Sequence, residues 1–122
     1  MAVVLLVDDD ALVLRTGASI LKASGLDVVP VEAGEIALGV LDERGDSVDL
    51  VVLDLTMPGI GGVGAFKGIR ERLPELPVLL VSGAPLEEGL ADWEAGPTEF
   101  MMKPYRGKDL VARVREMLPV AT

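Results

Sequence analysis

The order of the apolar segments along the chain is the feature that most restricts its fold. Five short apolar runs, each about the length of one strand, alternate with longer stretches in which apolar residues recur at helical spacing. The runs cover residues 3–7, 28–31, 50–53, 78–81 and 100–102. The first helical stretch ends near residue 25, and the other four cover about residues 32–43, 63–73, 86–95 and 107–118. This alternation predicts an α/β fold, a doubly wound parallel sheet of five strands with right-handed crossovers.

Length and composition narrow the possible classes of protein. A chain of 122 residues suits one compact domain, so we expect residues 1–122 to form a single domain. The net charge of −9 argues against direct nucleic-acid binding and against docking on anionic membranes. The chain has no Cys and no His, which excludes disulfides, His-ligated zinc and a Ser-His-Asp triad. The absence of Cys is compatible with a reducing cytoplasm, and the first apolar run is too short to span a membrane.

Charged and hydroxyl side chains follow the predicted strands, at the edge where a doubly wound sheet binds ligands. In chain order they are Asp8, Asp9, Asp10, Asp54, Ser82 and Lys103. Carboxylates brought close together repel one another, and a hard divalent cation such as Mg²⁺ removes that conflict. Mg²⁺, a lysine and a hydroxyl around one carboxylate oxygen can hold the three oxygens of a phosphoryl group. Phosphoryl transfer needs positioning and charge neutralisation, so the absence of His is no obstacle.

Four segments of the chain resemble the signature blocks of response-regulator receiver domains. They are residues 4–10 (VLLVDDD), 49–59 (DLVVLDLTMPG), 77–83 (PVLLVSG) and 100–105 (FMMKPY). Each block alone is a weak signal, whereas all four in the right order and spacing, across essentially the whole chain, are highly specific. The resemblance implies a (βα)₅ flavodoxin-like sheet with strand order 2-1-3-4-5.

The resemblance also implies a phosphoacceptor and a Mg²⁺ site. Asp54 would accept a phosphoryl group from the phosphohistidine of a histidine kinase or phosphotransfer protein. Asp8 and Asp9 would position Mg²⁺ beside Asp54, and Thr56 would offer its backbone carbonyl to the metal. Such a domain is a signalling switch that assists its own phosphorylation and dephosphorylation but turns over no separate substrate.

The remaining implied roles concern the response to phosphorylation. Ser82 and Lys103 would each contact a phosphoryl oxygen, and the Lys103–Pro104 peptide bond would be cis. Phe100 would be the switch aromatic, which turns inward when Ser82 moves toward the phosphoryl group. The surface of the fourth helix (86–95), the fifth strand and the last helix would then bind an output partner. The resemblance implies a cytoplasmic protein and leaves open its kinase, output, oligomeric state, phosphate lifetime and possible origin in a larger protein.

Two positions depart from the family pattern. Gly61 stands where many members have Asp or Asn, which predicts a more flexible connection after Asp54. Gly96-Pro97-Thr98 replaces the usual Gly-Ala-Asp before the fifth strand, and this departure bears on the output surface more than on the chemistry.

Some charged residues also have a simpler structural interpretation. Asp10 could be a third metal group, but an Asp in this place more often caps the following helix. Lys67, Arg70 and Arg72 are typical of a solvated helix face.

Three other functional classes can be weighed from the sequence. The glycines in residues 59–64 match G-x-G-x-x-G, the dinucleotide fingerprint, but four residues separate them from the strand and the acidic ribose partner is missing. A haloacid-dehalogenase-type phosphatase needs a second Asp two residues after the nucleophile, where this chain has Thr56. A degenerate receiver that acts only through protein interactions would not need the full acidic set.

Overall fold

The computed structural model describes residues 2–57, 59, 61–83 and 96–118. Its strands are β1 (Val3–Val7), β2 (Asp27–Val31), β3 (Leu50–Asp54), β4 (Val78–Ser82) and β5 (Thr98–Met102). Its described helices are α1 (Ala11–Ala23), α2 (Gly34–Arg44), α3 (Gly61–Arg72) and α4 (Gly107–Met117), with a 3₁₀ turn at Gly45–Ser47. The helix predicted over residues 86–95, and with it part of the predicted output surface, lies outside the described residues.

The five strands form one parallel sheet in the order β2-β1-β3-β4-β5, which confirms the predicted fold class. The chain turns from β1 to β2 on one side and then returns to β3 on the other side, so the topological switch point lies between β1 and β3. The register pairs Val7 of β1 with Leu53 of β3. The next residues along the two strands, Asp8 and Asp54, therefore leave neighbouring strands at the same level.

Two aliphatic cores cover the two faces of the sheet, as period-two alternation along buried strands requires. One core contains Leu5, Leu53 and Leu80 of the sheet and packs against α2 and α3. The other contains Leu6 and Val52 and packs against α1 and α4. All five residues of β3 and all five of β4 are buried. β3, which ends beside the switch point, and its neighbour β4 are thus buried along their whole length.

The sequence located the described elements to within two residues at most boundaries. The largest strand difference is β5, which begins at Thr98 rather than at residue 100 because its first two residues pair with Val78 and Leu79 of β4. Helix α1 ends at Ala23, and Gly25 follows with a φ of +95°, a conformation that favours glycine.

The interpretation of one helix face was wrong for Arg70. Its guanidinium lies against the sheet end and donates hydrogen bonds to Leu76 O (2.6 Å), Pro97 O (3.0 Å) and Thr98 Oγ1 (2.7 Å). A solvated face would leave this group in water, as it leaves the exposed Lys67. The reason is positional, since Arg70 lies in the last turn of α3, from which its long side chain reaches the start of β5.

Candidate functional site

Two buried carboxylates and one lysine meet at the switch point. The residues Asp8 and Asp54 are only 4% and 3% exposed. Lys103 Nζ lies 3.1 Å from Asp8 Oδ2 and 3.6 Å from Asp54 Oδ2, so one ammonium faces both acids. The backbone places it there, because Lys103 N donates to Ser82 O at 2.8 Å as β5 ends. The Lys103–Pro104 peptide bond that follows is cis, as the resemblance to receiver domains implied.

Asp9 completes a group of carboxylates that fits a hard divalent cation. One oxygen from each of Asp8, Asp9 and Asp54 lies within 4.8 Å of the others. Octahedral Mg²⁺ binds oxygens at about 2.1 Å, so its ligands are about 3.0 Å apart when adjacent and about 4.2 Å apart when opposite, and the three carboxylates would close around the ion as it binds. Asp9 is exposed, so this side of the group remains open to the waters that Mg²⁺ retains. The donor chemistry and spacing therefore fit the predicted metal.

Thr56 orients Asp54 by two hydrogen bonds to the same oxygen. The backbone N–H of Thr56 donates to Asp54 Oδ1 at 3.0 Å, and its hydroxyl donates to Oδ1 at 2.9 Å. The other oxygen, Oδ2, faces Lys103. Sequence reasoning gave Thr56 only a backbone carbonyl role and missed this hydroxyl contact. A sequence signal existed for the N–H bond, because Asp side chains commonly accept from the N–H two residues ahead, but none existed for the hydroxyl bond, which depends on the rotamer of Thr56.

Asp10 caps α1, as the sequence favoured. Asp10 Oδ1 accepts from the backbone N–H groups of Leu12 (2.9 Å) and Val13 (3.2 Å). The backbone N–H of Asp10 in turn donates to Asp8 Oδ1 at 2.9 Å. Asp8 and Asp10 therefore have different functions. The carboxylate of Asp10 caps the helix, and the backbone N–H of Asp10 fixes the side chain of Asp8.

Ser82 and Phe100 lie on the neighbouring strands β4 and β5. Ser82 is the last residue of β4, is 4% exposed, and follows Val81, the residue that pairs with Asp54. Phe100 is partly buried against the core shared with α2 and α3, and it pairs with Leu80, two residues before Ser82. The two residues therefore lie on adjacent strands, and their roles in a switch remain predictions.

The protonation of the site follows from its burial and its close charges. Burial raises the pKa of Asp8, and the charge of Asp54 adds to this, although the bonds from Asp10 N and Lys103 oppose it. Burial lowers the pKa of Lys103, but the hydrogen bond to Asp8 and the charges of Asp54 and Asp8 outweigh that effect, so the pKa is raised overall. The lysine therefore carries a full positive charge at neutral pH, beside the carboxylate of Asp8, which burial makes costly to keep ionised.

Comparison with known proteins places the chain in a family. Residues 4–115 match the sequence profile of the family described as the response regulator receiver domain. The chain belongs to this family. Receiver domains are signalling switches of two-component systems, and phosphorylation and Mg²⁺ are general features of the family.

The transcriptional regulatory protein CpxR of Escherichia coli (strain K12) is 35% identical over 117 residues, which are 94% of this receiver and 48% of CpxR. The receiver thus spans about half the length of the curated relatives it matches. The structure of the chemotaxis protein CheY4 of Vibrio cholerae has a TM-score of 0.86 at 24% identity, with 97% of this receiver and 99% of that chain covered. The receiver domain of the hybrid histidine kinase CckA has a TM-score of 0.82 at 34% identity, with 97% and 100% covered.

Two further features of the receiver bear on the alternatives. The glycine-rich start of α3 has a structural explanation, because a Cβ at Gly62 would lie 2.2 Å from Leu55 Cα and 2.5 Å from Asp54 O. Only glycine lets α3 begin directly against the end of β3. Within the described ranges, none of the helices combines the length and the apolar character that crossing a membrane requires.

Proposed function

We propose that this receiver accepts a phosphoryl group on Asp54 in a two-component phosphorelay. The observation that carries the proposal is the convergence of Asp8, Asp9 and Asp54 with the Lys103 ammonium at the sheet's switch point. An Asp54 carboxylate oxygen attacks the phosphorus of a phosphohistidine on a histidine kinase or phosphotransfer protein. The P–N bond breaks, the imidazole leaves with the electron pair and takes up a proton, and an aspartyl phosphate forms.

The metal ligands that we propose are Asp8, Asp9, Asp54 and the backbone carbonyl of Thr56. Bound Mg²⁺ would supply charge neutralisation for the phosphoryl oxygens. Asp9 faces solvent, which leaves room for metal-bound water. The buried Asp8 is held by Asp10 N and Lys103, so its second role is to fix the position of the lysine.

The chain's own residues prepare Asp54 for the transfer. The two bonds from Thr56 hold the carboxylate in one rotamer, so that little reorganisation is needed. The Lys103 ammonium would move from its pairing with Asp8 and Asp54 to a phosphoryl oxygen, and the Ser82 hydroxyl would bond another. Thr56 stands where a phosphatase of the haloacid-dehalogenase type needs an acid, so we propose no turnover of an outside substrate.

The consequence of phosphorylation would be a change of protein partners. Movement of Ser82 and Phe100 would alter the face that includes β5 and α4, and an output partner or domain would bind there. The net charge of −9 supports a protein partner over direct contact with nucleic acid. We propose that the chain acts in the cytoplasm as one receiver domain.

Mass spectrometry after incubation with acetyl phosphate and Mg²⁺ tests the proposed function. We expect the protein to gain the mass of one phosphoryl group, which maps to Asp54, and EDTA or the substitution Asp54→Asn to abolish the gain. Beryllofluoride with Mg²⁺ should raise the melting temperature of the wild type and leave Asp54→Asn unchanged. No phosphorylation, or phosphorylation at another acid, would favour an interaction module without phosphotransfer, whereas multiple turnovers of a phosphomonoester would favour a phosphatase.

A further inference from the structure

The connection that leaves Asp54 is anchored at its start, where Leu55 N donates to Val81 O at 2.9 Å and Met57 is buried in the core shared with α2 and α3. Thr56 bonds to Asp54 itself, and Gly62 at the start of α3 lies on the backbone of Asp54 and Leu55. Between them, Gly59 has a φ of +75° and Gly61 a φ of +71°. Glycines in the left-handed region restrict the backbone little, so their positions must be set by contacts with other elements.

Glu35 provides such a contact from a different element. It lies in the first turn of α2, and its carboxylate lies against Gly59, where an added Cβ would be 3.0 Å from Glu35 Oε1 and 3.4 Å from Oε2. Both carboxylate oxygens thus lie close to the Gly59 backbone, two residues before α3 begins. A side chain in place of this glycine would push the carboxylate away by a few tenths of an ångström and would adopt an unfavourable positive φ.

The charge of Glu35 also suits its position. Helix α3 begins at Gly61 and has no acidic residue in its first turn. The N-terminus of a helix carries partial positive charge and is stabilised by a nearby anion. Glu35 lies against Gly59, two residues before that N-terminus, so its negative charge lies near the end of α3 that favours an anion.

We propose that Glu35 is a positioning residue, which fixes the connection between Asp54 and α3 so that Thr56 and Asp54 are held in the geometry required for Mg²⁺ binding and phosphoryl transfer. This inference rests on the proposed function. It adds a contribution from α2, an element that carries none of the residues we assign to the metal or the phosphoryl group. Glu35 would act on the reacting groups through the backbone of Gly59, not by touching them.

The test compares Glu35→Ala and Glu35→Gln with Glu43→Ala, an exposed acid at the other end of α2. We expect Glu35→Ala to weaken Mg²⁺ binding, measured by calorimetry, by about tenfold, the lower end of the effect of outer partners of metal ligands. Glu35→Gln keeps the shape and loses the charge, so its effect should be smaller. Glu43→Ala should match the wild type. The initial rate of phosphorylation by acetyl phosphate at saturating Mg²⁺ should follow the same order.

A double-mutant cycle with Gly59→Ala ties the effect to the contact. With Glu35 present, the new methyl group contacts its carboxylate. In Glu35→Ala that contact is absent, and Gly59→Ala adds only the backbone strain of its positive φ. The effects of Glu35→Ala and Gly59→Ala on Mg²⁺ affinity should therefore be non-additive. Hydrogen exchange of the peptide that spans residues 55–62 should rise in Glu35→Ala and stay unchanged in Glu43→Ala. Additive affinities, or a fall in melting temperature with unchanged Mg²⁺ affinity and exchange, would overturn the proposal.

These measurements also separate the two proposals. The affinity and exchange experiments need no phosphoryl transfer, so they decide the role of Glu35 even when the wild type is not phosphorylated. Failure of wild-type phosphorylation at Asp54 would refute the proposed function and leave the cycle as the measure of the Glu35 contact.

Discussion

Lys103 Nζ donates a hydrogen bond of 3.1 Å to Asp8 Oδ2, which joins two residues 95 positions apart in the sequence. Each follows a strand of the same parallel sheet, so the topology alone brings them to one edge. The bond holds the ammonium beside Asp54, at 3.6 Å from its Oδ2. The structure thus places the lysine next to the proposed acceptor by pairing it with a different carboxylate.

Replacement of Lys103 by Met should slow phosphorylation and destabilise the protein in EDTA. Loss of one cation that stabilises developing charge should lower the rate of phosphorylation by acetyl phosphate roughly a hundredfold. The buried Asp8 and Asp54 would also lose their cation, so the melting temperature in EDTA should fall, and Mg²⁺ should recover part of the loss. Lys67→Met on the exposed face of α3 is the matched control and should change neither quantity. Equal phosphorylation rates in Lys103→Met and Lys67→Met would show that Lys103 takes no part in the transfer.

Asp8 should make the stability in EDTA depend on pH. Its pKa in the folded protein is raised above the usual value of 3.8, chiefly by burial. The protonated form is therefore favoured by folding. Its stabilising contribution is complete below about pH 4 and is lost as the pH rises through the raised value. Lys103 remains charged over this range, because its own pKa is also raised.

Thermal unfolding of the wild type and of Asp8→Asn across this range measures the effect. Asn cannot ionise, so the variant should have the higher melting temperature at neutral pH in EDTA, and the difference should shrink toward about pH 4. Saturating Mg²⁺ should raise the melting temperature of the wild type more than that of the variant, since the ion relieves the cost of the buried charge. A difference that is constant with pH would show that Asp8 ionisation does not oppose folding.

Much of this site follows from the sequence because parallel topology converts strand ends into neighbours. Asp8, Asp54 and Lys103 could be grouped without coordinates, since each directly follows an apolar run that the sequence identifies. The contacts of Thr56 and Glu35 could not be derived in the same way. They depend on rotamers and on how closely α2 approaches the start of α3, which apolar periodicity does not encode. The long side chain of Arg70 reaches groups 27 and 28 residues away, which no local pattern indicates.

Asp10→Ala should destabilise the protein without removing its Mg²⁺ site. The carboxylate of Asp10 caps α1 through Leu12 N and Val13 N, and loss of such a cap costs about 1 kcal/mol. Asp10→Ser retains a capping oxygen without the charge and should keep most of the stability. Chemical denaturation gives the free energy of unfolding, and calorimetry gives the Mg²⁺ affinity. A large loss of affinity in both variants, with unfolding unchanged, would make Asp10 a metal group instead.

Arg70→Met should be the most destabilising surface-helix substitution among these variants. The guanidinium donates to Leu76 O, Pro97 O and Thr98 Oγ1, and it lies 5.4 Å from the centre of the Phe66 ring. Met fills a similar length but donates nothing, so it leaves the partly buried acceptors Leu76 O and Thr98 Oγ1 without this donor, at a cost of about 3 kcal/mol in the free energy of unfolding. Arg70→Lys should retain little of this stability, because one ammonium cannot reach all the acceptors that the guanidinium contacts.

The matched control is Arg72→Met, two residues further along α3. Arg72 pairs with Asp42 of α2 at 2.7 Å, but the side chain of Asp42 is 58% exposed, and surface pairs of this kind contribute at most about 1 kcal/mol. Urea denaturation of the two variants should therefore give a much lower midpoint for Arg70→Met. Because Arg70 joins the end of α3 to the start of β5, its loss should also speed hydrogen exchange at the first residues of β5, while exchange in β1 changes only with global stability. Similar midpoints and exchange in both variants would mean that the contacts to Pro97 and Thr98 contribute no more than a surface ion pair.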